Sequence, residues 1–387
     1  MYRIPLSVPS FEGNEWNYVK ECLDSEWVSS AGKYVELFEK KFADYVGSKY
    51  AIMVNSGASA NELTMLALKY LYGEGEVIIP PLTWISDIAS VIFSGLKPVF
   101  CDINLQNFSF DLDKLKETIT PNTKAIFLTH VLGINGLTDE LLELCEKNNI
   151  LLIEDVCESH GTTFKGKKVG TYGHSSNFSF YFAHHMSTIE GGMVCTNDEK
   201  FYQVCRALRS HGMMREMTDD SMKQEIIESN PDLNKDFIFI HPAHNFRSTE
   251  LNAVLGLSQI KKLDSKNIHR VNNFKYFMDR VDSEKYITDI EMDGQCNYAF
   301  IVVLKEGTMD LRDKVESELN KNGIEFRRGL SGGGNQLRQP YFKENYNIDY
   351  NNFPNIDYVH NFSWYIGNYP TLEKEKIDGL LNVLNNI

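Results

Sequence analysis

The stretch "YAIMVNSGASANELTMLALKYLYGEGEVII", residues 50–79, decides how the chain is read. "YAIMV" is a short apolar run, and the Ser-Gly pair at 56–57 breaks it. Over residues 58–71 apolar side chains recur at helical spacing, and "EVII" at 76–79 begins a second apolar run. Strand, tight turn, helix and strand form the unit of a parallel sheet, because parallel neighbours need a crossover and a helix usually supplies it. The apolar runs continue with "KPVFCDI" (97–103), "KAIFL" (124–128) and "ILLIE" (150–154), and helical spacing returns over 137–148. Strands this uniformly apolar predict a mostly parallel α/β sheet covered on both faces. Ligands in such sheets sit beyond the carboxyl ends of the strands.

Further along, "REMTDDSMKQEIIESNPDLNKD" (215–236) is polar and acidic, and predicts an exposed insertion of one helix and a loop. Helical patterning fills 247–281. A strand over "NYAFIVVL" (297–304), a helix over 310–322 and a last amphipathic stretch over 371–385 read as a smaller α+β unit. The expected organisation is a large domain over residues 1–250 and a small C-terminal one over 251–387, packed together with a site between them.

Composition removes several classes of function. The net charge of −14 repels nucleic acid and anionic membrane alike. No apolar run reaches the roughly 18 residues of a membrane span, and no secretory leader is evident. The seven cysteines are scattered and form no CxxC pair, so neither a disulfide framework nor a metal or iron-sulfur site is expected. A soluble protein of the reducing cytoplasm fits these features.

Four segments carry candidate chemistry. The Ser-Gly turn at 56–57 opens a helix and can aim free N–H groups at a phosphate, although by itself it is also an ordinary connection. "LLIEDVCESHG" (151–161) places carboxylates at a strand's carboxyl edge, where they can hold a protonated ring nitrogen or simply cap a helix. "PPLTWISDIAS" (80–90) offers Trp84 at a helix start, as a stacking face or as core. "RRGLSGGGNQLRQPYF" (327–342) sets three arginines around a glycine triplet, which suits diphosphate recognition or a surface loop. A fifth, "SFYFAHHMSTIEGGMVC" (179–195), puts His184 and His185 before a glycine turn, with no lysine between Lys168 and Lys200. Read as strand, these two side chains point to opposite faces, so only one serves any given site. A neutral imidazole there is a competent general base.

Together these segments resemble the DegT/DnrJ/EryC1/StrS family of sugar aminotransferases, pyridoxal phosphate enzymes of fold type I (aspartate aminotransferase-like). The resemblance runs through "IPLSVPSFEGNEW" (4–16), "SEWVSSAGKYVELFEKKFADYVGSKYAIMVNSGASAN" (25–61) and "EDVCESHG" (154–161). It continues through "FSFYFAHHMSTIEGGM" (178–193) and "LRSHG" (208–212) to "HNFRSTELNAVLGLSQI" (244–260). It implies that Gly57, Ala58 and Ser179 bind the cofactor phosphate, and that Trp84 stacks on the ring. Asp155 would pair with the pyridine nitrogen, and Glu158 stands where the family usually has glutamine. Asn245 would reach the phosphate of a neighbouring subunit, which implies a homodimer with shared active sites.

One position departs from the family. Its members carry, six residues before the glutamate of the glycine turn, a lysine that bonds the cofactor covalently. Counting back six from Glu190 gives His184. The substitution resembles that of the family's nucleotide-sugar 3-dehydratases, in the subtype that needs no iron-sulfur cluster. Catalysis is then expected from His184, with non-covalent pyridoxal or pyridoxamine 5'-phosphate and L-glutamate as amino donor. The implied reaction is C3 deoxygenation of a nucleotide-linked 4-keto-6-deoxy sugar, GDP-4-keto-6-deoxymannose or a GDP-heptose analogue, for lipopolysaccharide or capsule dideoxysugars. His211, Arg215, Arg247 and Arg338 are the candidate partners for glutamate or the sugar diphosphate. The rival reading is a conventional 4-aminotransferase.

Overall fold

The computed structural model describes residues 3–8, 11, 13–29 and 32–387. Pro9, Ser10, Glu12, Ser30 and Ala31, which belong to the first two resemblance segments, lie outside the described residues. The chain enters through α1 (Glu15–Asp24) and α2 (Lys33–Val46). It then alternates through β1 (Tyr50–Val54), α3 (Gly57–Tyr72), β2 (Glu76–Ile79), α4 (Ile85–Phe93) and β3 (Lys97–Phe100). The alternation continues with α5 (Leu112–Thr118), β4 (Thr123–Thr129), α6 (Asp139–Asn148) and β5 (Leu151–Asp155). After the small hairpin of β6 (Thr163–Phe164) and β7 (Lys167–Lys168) come β8 (Ser175–Ser179) and β9 (Gly192–Thr196).

These strands form a seven-stranded sheet in the order β1-β9-β8-β5-β4-β2-β3. All neighbouring pairs are parallel except those that β9 makes with β1 and β8. The exception has a local cause: β8 and β9 are joined by a short irregular turn with no crossover helix, so β9 must run back. That turn contains His184 and lies at the carboxyl end of β8.

The helices begin where capping side chains stand. Ser56 caps α3 by accepting from the Ser59 amide at 3.1 Å, and Thr138 caps α6 by accepting from Leu141 N at 3.1 Å. Beyond β9 run α7 (Glu199–Arg209) and α8 (Asp220–Ser229). No residue of α8 is buried, in keeping with an exposed insertion.

The 29-residue helix α9 (Glu250–Met278) serves both sheets. Its Ala253, Val254 and Leu263 pack in the core of the large sheet, while Phe274 and Phe277 join a second core. That second core is built on the antiparallel sheet β10-β12-β11, formed by Ala299–Val303 (β10), Phe326–Arg328 (β11) and Ser363–Gly367 (β12). Around it pack α10 (Met309–Lys321), α12 (Pro354–Phe362) and α13 (Lys374–Asn385), while the short α11 (Pro340–Lys343) sets Phe342 against Phe100 of β3 in a core of the large sheet. The N-terminal segment crosses back to it, with Ile4 bridged to Ile324 and the Leu6 amide donating to Glu325 Oε2 at 3.0 Å. Among the described residues, no helix is long and apolar enough to cross a membrane.

Candidate active site

A cavity of about 320 Å³ lies at the carboxyl ends of the parallel strands, between the two sheets. One wall is the start of α3. The extended backbone of Ser56 leaves the first-turn amides of Gly57 and Ala58 without an intrahelical acceptor, which makes a cradle for an anion. Glycine is required there by proximity: a Cβ on Gly57 would lie 2.6 Å from Ser179 Cβ. The missing side chain thus lets the end of β8 bring the Ser179 hydroxyl to the same spot, and all three residues line the cavity.

The opposite wall is acidic. Asp155 ends β5, is 5% exposed, and is oriented by the Cys157 amide, which donates to its Oδ1 at 2.8 Å. Glu158 accepts from the Leu132 amide at 3.3 Å. Burial, with the charge of Asp155 in second place, pushes the Glu158 carboxyl up to about 7, so near neutrality it can hold or release a proton. Trp84 precedes α4 and is 57% exposed, so its ring presents a face to the cavity instead of filling the core.

His184 closes the third side. Burial pushes its imidazole down to about 4, and the positive charge of Arg270 acts in the same direction. At neutral pH it is therefore an uncharged proton acceptor, and among the described residues no lysine lines the cavity. Residues 181–190 form a turn, not the continuation of a strand, so the alternation expected for the two histidines does not apply. Hydrogen bonding separates them instead: His185 is 3% exposed, and its Nε2 donates to the Cys296 carbonyl at 2.9 Å, away from the cavity.

The remaining wall was not legible in the motifs. Tyr298 and Tyr365, from the small sheet, and Ser331, from the glycine-rich loop, reach the same cavity. Tyr298 stands at the edge of an apolar strand pattern that marks it as core. Tyr365 lies within β12, and only the packing of the two sheets brings either ring to the cavity.

The other candidates lie elsewhere. Asn245 is exposed, on a segment bridged to Ser210, and its Oδ1 accepts from the Arg247 amide at 3.1 Å. His211 is on the paired strip, its amide bonded to the His244 carbonyl at 3.0 Å. Arg215 is exposed over the Phe237 ring, and Arg247 is bridged to Val54. None of the four lines the cavity. Arg338 is ion-paired within the small unit. Its guanidinium grips Asp357 through two bonds of 2.5 and 2.6 Å and lies over the Tyr350 ring, while Arg328 pairs with Glu316 and Arg327 with Glu325. Each of the three arginines thus has a carboxylate partner in the small unit, 2, 12 and 19 residues away along the chain for Arg327, Arg328 and Arg338.

The arrangement offers an anion cradle, an aromatic face, a carboxylate at a strand end and an uncharged base, which are the features a phosphorylated pyridine needs. The cradle a Cβ would fill at Gly57 and the orientation of Asp155 both fit such a group. Comparison with known proteins agrees. The sequence profile of the DegT/DnrJ/EryC1/StrS aminotransferase family matches residues 9–385. A GDP-4-keto-6-deoxy-D-mannose 3-dehydratase of Escherichia coli O55:H7 is 32% identical over 99% of this chain and 100% of that protein. A GDP-perosamine synthase of Caulobacter vibrioides is 36% identical over 84% of each. A crystal structure of GDP-4-keto-6-deoxymannose-3-dehydratase with a trapped PLP-glutamate geminal diamine superposes with a TM-score of 0.87. It is 30% identical, and the match covers 99% of this chain and 100% of that one.

Proposed function

The chain belongs to the DegT/DnrJ/EryC1/StrS aminotransferase family, and from that premise we propose that it is a pyridoxamine-phosphate-dependent 3-dehydratase of a GDP-linked 4-keto-6-deoxy sugar, with glutamate as amino donor. The observation that carries this reading is His184, an uncharged imidazole in a cavity whose lining, among the described residues, holds no lysine. When bound, pyridoxamine phosphate supplies an amino group that can condense with the C4 ketone and a ring that can take up electrons.

The chain's own residues do the rest. The Gly57 and Ala58 amides and the Ser179 hydroxyl hold the phosphate, Trp84 covers one ring face, and Asp155 holds the proton on the ring nitrogen. Glu158 stands ready to exchange a proton with a ring substituent near neutral pH. His184 accepts a proton from the carbon that bears the cofactor's amino group. Once charged, with so low an affinity for that proton, it is a strong acid for the oxygen leaving C3 of the sugar. An aminotransferase needs a primary amine at this place both to anchor the cofactor and to return the proton to the sugar carbon; imidazole cannot be the anchor, and here its proton goes to the leaving oxygen instead.

Several parts of the reading extend past one chain. We place Asn245, His211, Arg215 and Arg247 at the active site of a second copy, in a cytoplasmic homodimer, where they meet the phosphate, glutamate or the sugar diphosphate. His211 and Asn245 stand exposed on the paired strip and Arg215 is exposed just beyond it, which supports this. A large unit of residues 1–250 and a small one of 251–387 complete the proposal, with α9 shared between their cores.

The experiment is incubation of the purified protein with pyridoxal phosphate, glutamate and a panel of 4-keto nucleotide sugars, read by mass spectrometry. Loss of the C3 oxygen with release of ammonia is expected. A stable 4-amino sugar as the only product would instead establish the aminotransferase.

A further inference from the structure

A second carboxyl stands behind Asp155. Asp87 lies in the first turn of α4, three residues after Trp84, and is 0% exposed. Its Oδ1 accepts from Asn61 Nδ2 at 2.6 Å, and its Oδ2 accepts from the Thr129 hydroxyl at 3.2 Å and from the Thr83 hydroxyl. These partners come from α3, from the end of β4 and from the loop before α4, so three separate segments aim the group. Thr129, which donates to it, stands opposite Asp155 in the register of β4 and β5, so the two carboxyls share one buried corner.

An acid in a helix's first turn usually serves the helix dipole from the surface. Asp87 is buried against another carboxylate, and the ionisable groups around it, Asp155 and Cys157, bring no positive charge. Two such carboxyls cannot both ionise, so the pair keeps one proton. Burial first and the Asp155 charge second push Asp87 well above the carboxylate range, and the threonine hydroxyls, which act in the opposite direction, do not reverse this.

We propose that Asp87 is a positioning residue that donates a hydrogen bond to Asp155, leaving Asp155 as the ionised member of the pair, aimed at the ring nitrogen. This rests on the cofactor reading above and adds a residue to it. A carboxylate that receives a hydrogen bond holds a proton less tightly, so the proton between Asp155 and the pyridine stays on the ring, where it makes the ring an electron acceptor.

The test uses holoenzyme loaded with pyridoxamine phosphate isotopically labelled at the ring nitrogen, read by nitrogen NMR, together with the affinity for the cofactor. Wild type and Asp87→Asn, a neutral donor of the same shape, are expected to show a protonated ring and equal affinity. Asp87→Ala is expected to move the signal toward neutral pyridine and weaken binding by about tenfold. If Asp155→Ala alters the signal and Asp87→Ala leaves it unchanged, or if Asp87→Asn behaves like Asp87→Ala, the role of Asp87 is refuted while the cofactor reading stands. A ring indifferent to Asp155→Ala refutes both. Should Asp87→Ala fail to fold, isotope-edited infrared spectroscopy of labelled aspartate decides. A protonated aspartyl band in the wild type at neutral pH, removed by Asp87→Asn, supports the inference, and its absence overturns it.

Discussion

The rings of His184 and Tyr298 lie 5.6 Å apart, centroid to centroid, at the seam between the two sheets. His184 belongs to the turn after β8, and Tyr298 immediately precedes β10 of the small sheet. Burial raises the Tyr298 phenol far above its ordinary value, so it remains a neutral wall against the imidazole. The proposed base therefore stands in a site that both sheets enclose.

Replacing His184 by lysine tests the assignment of the base. In His184→Lys, dehydration is expected to fall by at least about a hundredfold, the scale of a lost general base. Borohydride should fix the cofactor covalently to this variant and not to the wild type, which peptide mass spectrometry reads directly. Deoxygenation that survives intact in His184→Lys would show that another group moves the proton.

Glu158 predicts a pH dependence of stability. Its carboxyl is raised from 4.5 to about 7 in the folded chain. The folded state therefore binds the proton more tightly between these values, and the contribution is fully present below about 4.5 and lost as the pH rises through about 7. Glu158→Gln removes the titration, so the difference in Tm between variant and wild type should grow in the variant's favour over that window. The whole effect is on the order of 3 kcal/mol. Parallel Tm profiles would sink the prediction.

His184 titrates with the opposite sign. Its folded value of about 4 lies below the ordinary 6.5, so the unfolded chain binds the proton more tightly and this contribution to stability is lost as the pH falls from 6.5 toward 4. The acid limb of kcat/KM, which reports the free enzyme, should accordingly lie well below the ordinary histidine value, close to acid unfolding. An acid limb at about 6.5 in a rate profile would contradict it.

Gly57→Ala would force a methyl group to within 2.6 Å of Ser179 Cβ. Alanine ordinarily favours a helix by about 1 kcal/mol over glycine. Here it should separate α3 from β8 and weaken pyridoxamine phosphate binding by about tenfold or more, measured by cofactor absorbance in titration. Unchanged affinity would mean that the amides at this turn do not hold the phosphate.

Beneath the site, Arg209 Nη1 lies 2.6 Å from Glu39 Oε1, with both side chains buried, and also donates to the Met53 carbonyl at 3.2 Å. Removing one partner strands the other charge, so Glu39→Ala should cost about 3–5 kcal/mol of unfolding free energy in urea titration. Replacing both partners by apolar residues of similar size should cost much less. Equal losses in the single and double variants would contradict that account.

The sequence by itself determined what depends on neighbours a few residues apart. The runs at 50–54 and 76–79 became strands with those bounds, the cap at Ser56 started α3, and the imidazole in place of a lysine was visible by counting. Apolar spacing and capping act over one or two turns, so such features can be read along the chain. Tertiary structure alone decided which distant groups meet. It reversed β9, brought Tyr298 and Tyr365 to the cavity that His184 lines, set Asp87 in the buried corner beside Asp155, and paired Arg338 with Asp357. Those outcomes rest on the packing of two cores and on burying charges beside partners far away in sequence, and the local pattern around any one of these residues contains no record of its eventual partner.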